Sequence, residues 1–224
     1  MGGQCILFPP ETLDKKERLE DVIGYIENWA DCLIIRHPSY PKIKELSEYS
    51  LIPIINAMTT ENHPCEILSD FYSISKIKDN FRGLVYTFVG EANNISNTWM
   101  HIAKVMNLTF NHVCTIGNEL SEDNRNYKFY TELETALISS DVILTDSLSV
   151  GLRTNEYISK YQITLERMKL TKDHSILNPC PPFFRNEEVS EDAISSNYFV
   201  GYEFKMNLIY VQQAIILYCL GIKI

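Results

Sequence analysis

Hydrophobic positions along the chain follow two alternating periods. Residues 5–8, 32–35 and 52–55 are short apolar runs rich in β-branched or aromatic side chains, the pattern of buried strands. Between them Leu19, Val22, Ile23, Ile26 and Trp29 recur at intervals of three and four, as do Ile67, Leu68, Phe71 and Ile74 after Pro64, the pattern of one-faced helices. The alternation continues with strands over 84–89, 110–116 and 142–144 and helices over 95–106 and 131–139. Strand and helix in turn predict an α/β protein whose parallel sheets are covered by helices. A polar stretch at 76–82 is the natural domain boundary. The last third is less regular: a loop or broken helix over 151–160, a helix over 163–171, and a strand over 175–178 that runs into Pro179-Cys-Pro-Pro182. The last helix, 205–221, sets Leu208, Val211, Ile215 and Tyr218 on one face, which needs something to bury it.

Composition narrows the class. With 224 residues, 45% of them hydrophobic, the chain has enough apolar material for one large domain or two small ones. Lys+Arg 20 against Asp+Glu 29 gives a formal charge of −9, which disfavours adhesion to nucleic acid or to an anionic membrane. An anionic ligand would need a local basic cluster. The six cysteines are widely spaced, without a Cys-x-x-Cys pair or a Cys/His cluster of metal-site spacing. Reduced thiols in a cytoplasmic protein, with no bound metal, are the economical expectation. The first residues lack the basic and apolar regions of a signal peptide, and residues 208–220 are interrupted by Gln212 and Gln213, so no membrane segment is expected.

The stretch Glu61-Asn-His-Pro-Cys-Glu66 carries the first candidate chemistry. Proline is favoured at the first helical position, so Pro64 should open a helix with His63 at its N-cap, beside unpaired amides. Such a place suits an anion. Glu66 adds a negative charge to the same turn, and a well-capped helix whose dipole Glu66 complements is the plainer alternative. Taken alone, Lys15-Lys16 reads as a solvated charge pair, Asn94 as a helix cap, Asp146 as a strand-end turn residue, and Asn178-Pro-Cys-Pro181 as a rigid turn.

Taken in order, Arg36-His-Pro38 after a strand, His63-Pro-Cys-Glu66 at a helix start, Gly90-Glu-Ala-Asn-Asn94 and Thr145-Asp146 after strands, and Asn178-Pro-Cys-Pro181 resemble the motifs of the aspartate and ornithine carbamoyltransferases over nearly the whole chain. The resemblance implies two α/β domains: a carbamoyl-phosphate-binding domain over 1–78, truncated at its N-terminus, and an amino-acid-binding domain over 79–204. It also implies that the helix of 205–224 packs back on the first. It further implies transfer of a carbamoyl group from carbamoyl phosphate to an amine, without a cofactor, in a trimer. Arg36 and His63 would then be the catalytic pair. Thr12, Lys16, Glu66, Pro179 and Cys180 join them around carbamoyl phosphate, and Asn94, Asp146, Ser149 and Val150 hold the amino acid, for which an ornithine-like acceptor is favoured. The family's Ser-x-Arg-Thr-Arg phosphate element is absent, Glu66 stands where the family has glutamine, and Asn178 where it has histidine. A carboxylate cannot donate to phosphate and repels it at close range. These departures favour an alternative: a noncatalytic binding or assembly subunit that pairs with a transcarbamylase partner.

Overall fold

The computed structural model describes residues 2–223, the side chain of Pro10 aside. The chain divides into two compact units, one made of residues 1–72 and 206–224 and the other of residues 73–205.

The first unit is built on two parallel strands, β1 (Leu33–Arg36) and β2 (Ile54–Met58), with helices α1 (Leu19–Ile26) and α2 (Tyr40–Tyr49). Val22, Ile23 and Ile26 from α1, Ile43 and Leu46 from α2, and Ile35 from β1 form its core. The Ser39 side chain caps α2 by accepting from the Lys42 amide, and Pro41 occupies the first turn, where its missing N–H costs nothing. Strand register runs evenly from Leu33↔Ile54 to Ile35↔Asn56 and then slips, so that Arg36 stands opposite Met58.

Three expectations are corrected in this unit. Residues 5–8 form no strand: hydrophobicity alone does not make one without a neighbouring strand to pair with, and Leu7 is 92% exposed while Phe8 packs against the core. Trp29 lies beyond the end of α1 and is exposed. Helix α3 (Pro64–Ile77) buries polar Ser69, Asp70 and Ser73 together with Ile67 and Ile74, so the stripe left outside is Leu68, Tyr72 and Lys76, at helical spacing of four. Leu68 therefore does not join Ile67, Phe71 and Ile74 in the interior.

The second unit carries a five-stranded parallel sheet in the order β5 (Tyr127–Tyr130), β4 (Thr109–Val113), β3 (Val85–Val89), β6 (Val142–Thr145) and β7 (Ile176–Pro179). One row of residues in register crosses it: Phe129, His112, Phe88, Leu144 and Asn178. Helix α4 (Asn94–Met106) sets Trp99 against Tyr86, ring centroids 5.3 Å apart. Helices α5 (Leu133–Leu137), α6 (Asn155–Tyr161), α7 (Leu165–Met168) and α8 (Glu191–Ile194) follow, with Leu133, Leu137, Tyr157, Met168 and Ala193 in one core. Strand β5 escaped prediction because Tyr127-Lys-Phe-Tyr130 is only four residues long and places Lys128 outward. Helix α7 is a single turn where the pattern predicted nine residues, since Ile163 bridges to Val189 instead of entering the helix.

Helix α9 (Gly201–Cys219) ends the chain. Leu208, Val211 and Ile215 are half-buried, but Tyr218 is 84% exposed. Ten residues after Leu208, it has turned about 80° off that direction and sits at the rim of the face. Among the described residues no helix is long and apolar enough to cross a membrane.

Candidate functional site

Strand order alone nominates a place in the second unit. The chain passes from β3 outward to β4 and β5, then returns to β6 on the other side of β3, so the carboxyl ends of β3 and β6 form the switch point where open parallel sheets take ligands. The turn after β3 holds Gly90, Glu91, Asn93 and Asn94; the loop after β6 holds Asp146, Ser149 and Val150. Three hydrogen bonds join them. Asn93 Nδ2 donates to Asp146 Oδ2 at 2.8 Å, and Ser149 donates through its amide and hydroxyl to the two Glu91 carboxylate oxygens at 3.1 and 3.0 Å. Asp146 also accepts from the Ser147 amide at 2.9 Å.

Asn93, not Asn94, is the cap of α4. Its Oδ1 accepts from the Ile95 and Ser96 amides while Ser96 Oγ accepts from the Asn93 amide, a capping box. Asn94 is thus the first helical residue, and Val150 is 87% exposed on the 3-10 turn that Ser149 begins. Pro179 ends β7 beside β6 and Cys180 follows it: the Cys180 amide donates to the Thr145 carbonyl at 2.8 Å, and the side chain is buried. Asn178, just before them, is 1% exposed with neither amide atom hydrogen-bonded.

Further along, the segment after Ser149 is tied to the 183–190 loop. Arg153 pairs with Glu187 at 3.0 Å and lies 4.9 Å over the Phe184 ring. Glu188, 3% exposed, accepts from the Phe184 amide at 2.6 Å. Burial, with Glu187 and Asp146 nearby, pushes its pKa up to about 7.

In the first unit, Arg36 ends β1 at the register slip with its side chain exposed. The His63 carbonyl accepts from the Ile67 amide at 3.2 Å, which makes His63 the N-cap of α3 with Pro64 as the first helical residue. Cys65 points its thiol at the Asn56 carbonyl, 3.4 Å away, and Glu66 is 7% exposed in the same first turn. Thr12 turns its hydroxyl inward to the Pro9 carbonyl at 2.7 Å, closing the 3-10 turn of residues 10–14. Lys16 is exposed and lines a shallow cavity of about 330 Å³ with Lys15, Arg18 and Lys42, a lining that includes none of Thr12, Arg36, His63 or Glu66.

What sequence reasoning missed is the polar scaffold. The Ser39 amide donates to His37 Nδ1 at 3.0 Å, so Nε2 carries the proton toward Asp14 at 3.1 Å, and Lys42 pairs with the same carboxylate. Lys42 and His37 hold the Asp14 carboxyl below its ordinary range. Arg36-His-Pro38 drew attention to its arginine; the buried histidine beside it anchors the preceding loop. Glu91 and Asn93 were passed over in the same way, and the spacing of Asn93 to Ser96, a cap followed by a hydroxyl three residues on, was the available signal.

Known proteins resemble both parts of the chain. Residues 1–76 match the aspartate/ornithine carbamoyltransferase carbamoyl-P binding domain, and residues 82–219 match the Asp/Orn binding domain of the same family. Ornithine carbamoyltransferase of Chromobacterium violaceum is 27% identical over 234 residues, 98% of this chain and 76% of its own length. That of Paracidovorax citrulli is 28% identical over 236 residues, again 98% and 76%. Among solved structures, ornithine carbamoyltransferase from Burkholderia thailandensis matches with a TM-score of 0.84 at 25% identity, over 92% of this chain and 71% of that one. The Pyrococcus furiosus enzyme shares the fold with a TM-score of 0.85 at 22% identity, over 93% and 72%. Two consecutive domain matches that together span most of its length establish that the chain belongs to the aspartate/ornithine carbamoyltransferase family.

Proposed function

We propose that the first unit takes carbamoyl phosphate, that the second takes an ornithine-like amino acid, and that the chain serves carbamoyl transfer to the side-chain amine. The observation that carries the reading is the locking of the Gly90–Asn94 turn to the Asp146–Ser149 loop at the switch point of the second sheet. Asn94, Asp146, Ser149 and Val150 there offer amide, carboxylate and hydroxyl groups to an amino acid, the carboxylate suiting an ammonium. In the transfer, the amine nitrogen bonds to the carbamoyl carbon, the bond from that carbon to the phosphate oxygen breaks, and the departing phosphate takes the amine proton. Within the first unit, Arg36 and His63 would stabilise charge growing on phosphate and carbonyl oxygen, with Thr12 and Lys16 as further phosphate contacts.

A second reading has its own support. Glu66 is a buried carboxylate in the first turn of α3, and Asn178 leaves both amide atoms without a hydrogen bond. On this reading the chain is a cytoplasmic binding or assembly subunit, in a homotrimer or beside a transcarbamylase partner. Calorimetry with carbamoyl phosphate and L-ornithine, followed by a citrulline assay, separates the two. Turnover abolished by Arg36→Ala and by His63→Ala supports transfer, binding without turnover supports a binding subunit, and binding of neither ligand overturns both the transfer and the binding reading.

A further inference from the structure

His112 is 0% exposed inside the second sheet, in register with Phe88 on one side and Phe129 on the other. Its partners explain it. The Gly90 carbonyl, 2.8 Å from Nε2, can only accept, so Nε2 carries the ring proton. In a neutral imidazole Nδ1 is then an acceptor, served by the Tyr127 hydroxyl at 3.2 Å, whose oxygen in turn accepts from the Leu120 amide at 3.0 Å. Each donor and acceptor in this chain of four groups has a partner, and Phe88 and Phe129 hold the ring plane from 5.7 and 5.3 Å.

The far end of the chain is the candidate amino-acid site. Gly90 has φ 154, and a Cβ there would come within 3.1 Å of the Phe88 ring. Its amide donates to the Val113 carbonyl at 3.1 Å, so β4 grips the residue at both its amide and its carbonyl. The residues that follow are Glu91, which accepts from Ser149; Ala92, whose amide donates to Asn118 at 3.0 Å; and Asn93, which donates to Asp146.

We propose that His112 is a positioning residue of this site: as a neutral imidazole protonated at Nε2 it fixes the Gly90 carbonyl, and with it the turn bearing Glu91, Asn93 and Asn94, and through Tyr127 it couples that turn to Leu120 in the loop after β4. The role in ligand binding rests on the reading that this turn takes an amino acid. Burial pushes the imidazole pKa down to about 4, in keeping with a ring that stays neutral.

The test uses the full chain labelled with ¹⁵N in its histidines. The His112 resonances should show the Nε2–H tautomer, unchanged from about pH 8 to about pH 5.5. His112→Gln keeps a donor near the place of Nε2 and should hold L-ornithine within about twofold of the unaltered chain, whereas His112→Phe should weaken it about tenfold while carbamoyl phosphate binding stays the same. Tyr127→Phe, which leaves the imidazole in place, should speed hydrogen exchange at the Leu120 amide. An Nδ1–H tautomer, a titration near the ordinary histidine pKa, or His112→Phe binding L-ornithine as well as the unaltered chain would overturn the proposal. If the unaltered chain takes up no amino acid, the ligand reading falls by itself, and the tautomer together with faster exchange at Ala92 in His112→Phe still decides the positioning role.

Discussion

Ile34 and Leu144 are both aliphatic residues inside parallel strands, yet Ile34 of the first unit is 51% exposed and Leu144 of the second 1%. A parallel sheet is stable when both faces are covered. In the second unit five strands place Phe88, Leu144 and Phe110 on one face and Ile143, Leu177 and Val113 on the other, all nearly inaccessible. Two strands in the first unit bury Ile35 against α1 and α2 and leave Ile34, one residue back and so on the opposite face, in contact with water. The same unit exposes Leu7, Leu51, Met206, Ile209 and Tyr210, each by more than half. The difference teaches that the second sheet is covered on both faces, whereas the first unit leaves apolar sheet and helix positions open, surface of the kind that marks interaction sites.

The two tryptophans test that contrast directly, because Trp29 lies in the first unit and Trp99 in the second. Trp99→Ala should cost about 3–5 kcal/mol through the cavity it leaves beside Tyr86, and Ile34→Ala no more than about 1 kcal/mol. Guanidinium titrations read through Trp29 alone, in Trp99→Phe, and through Trp99 alone, in Trp29→Phe, should place the first unit's transition at lower denaturant. A single shared transition would break the comparison.

The next effect is confined to the second unit and runs on pH. His112 has its pKa lowered from 6.5 to about 4, so the stability tied to its neutral form is complete above pH 6.5 and is lost as pH falls toward 4. Glu188 has its pKa raised from 4.5 to about 7, so its contribution is complete below pH 4.5 and is lost as pH rises toward 7. Each is worth about 3 kcal/mol across its window, with opposite sign. Between pH 4.5 and 6.5 the two slopes offset each other. Glu188→Gln, which keeps an acceptor for the Phe184 amide, should expose the histidine slope, making the second unit less stable at pH 5 than at pH 7. Urea unfolding at the two values, read through Trp99, shows it; equal midpoints would mean that His112 titrates normally.

A smaller effect sharpens the contrast between the two units. Glu66→Gln removes a negative charge and adds an amide donor in the first turn of α3, so phosphate affinity should rise about tenfold at low salt and by less at high salt. No change would place the anion away from this turn. The smallest effect on stability, within about 0.5 kcal/mol, is expected from Leu7→Ser and Ile209→Lys. If these residues serve assembly, sedimentation at low micromolar concentration should nonetheless shift toward the monomer in both variants, and an unaltered profile would remove the interaction reading of the first unit's surface.

Much of the architecture was legible because it rests on local periodicity. The spacing of Leu19, Val22, Ile23 and Ile26 predicts α1, and the runs around Ile35, Phe88 and Leu144 predict β1, β3 and β6, because those patterns are dictated by the geometry of one helix turn or one pleat. Pro64 predicted the start of α3, and the ordered motifs from Arg36 to Cys180 predicted the family. Residues 5–8 misled because a strand is made by its neighbour, and β5 was missed because four residues with an outward lysine carry too little pattern.

The sequence by itself therefore determined the alternation of strands and helices, the α/β class and the order of motifs by which the family is recognised, all of which are properties of short segments or of their order. Only the tertiary structure decided that Asn93 rather than Asn94 caps α4 and reaches Asp146, 53 residues away, and that His112 carries its proton on the nitrogen facing Gly90. Strand order, which local patterns do not encode, brings those groups together. Once they are buried, the need of every polar atom for a partner selects the pairing and the tautomer.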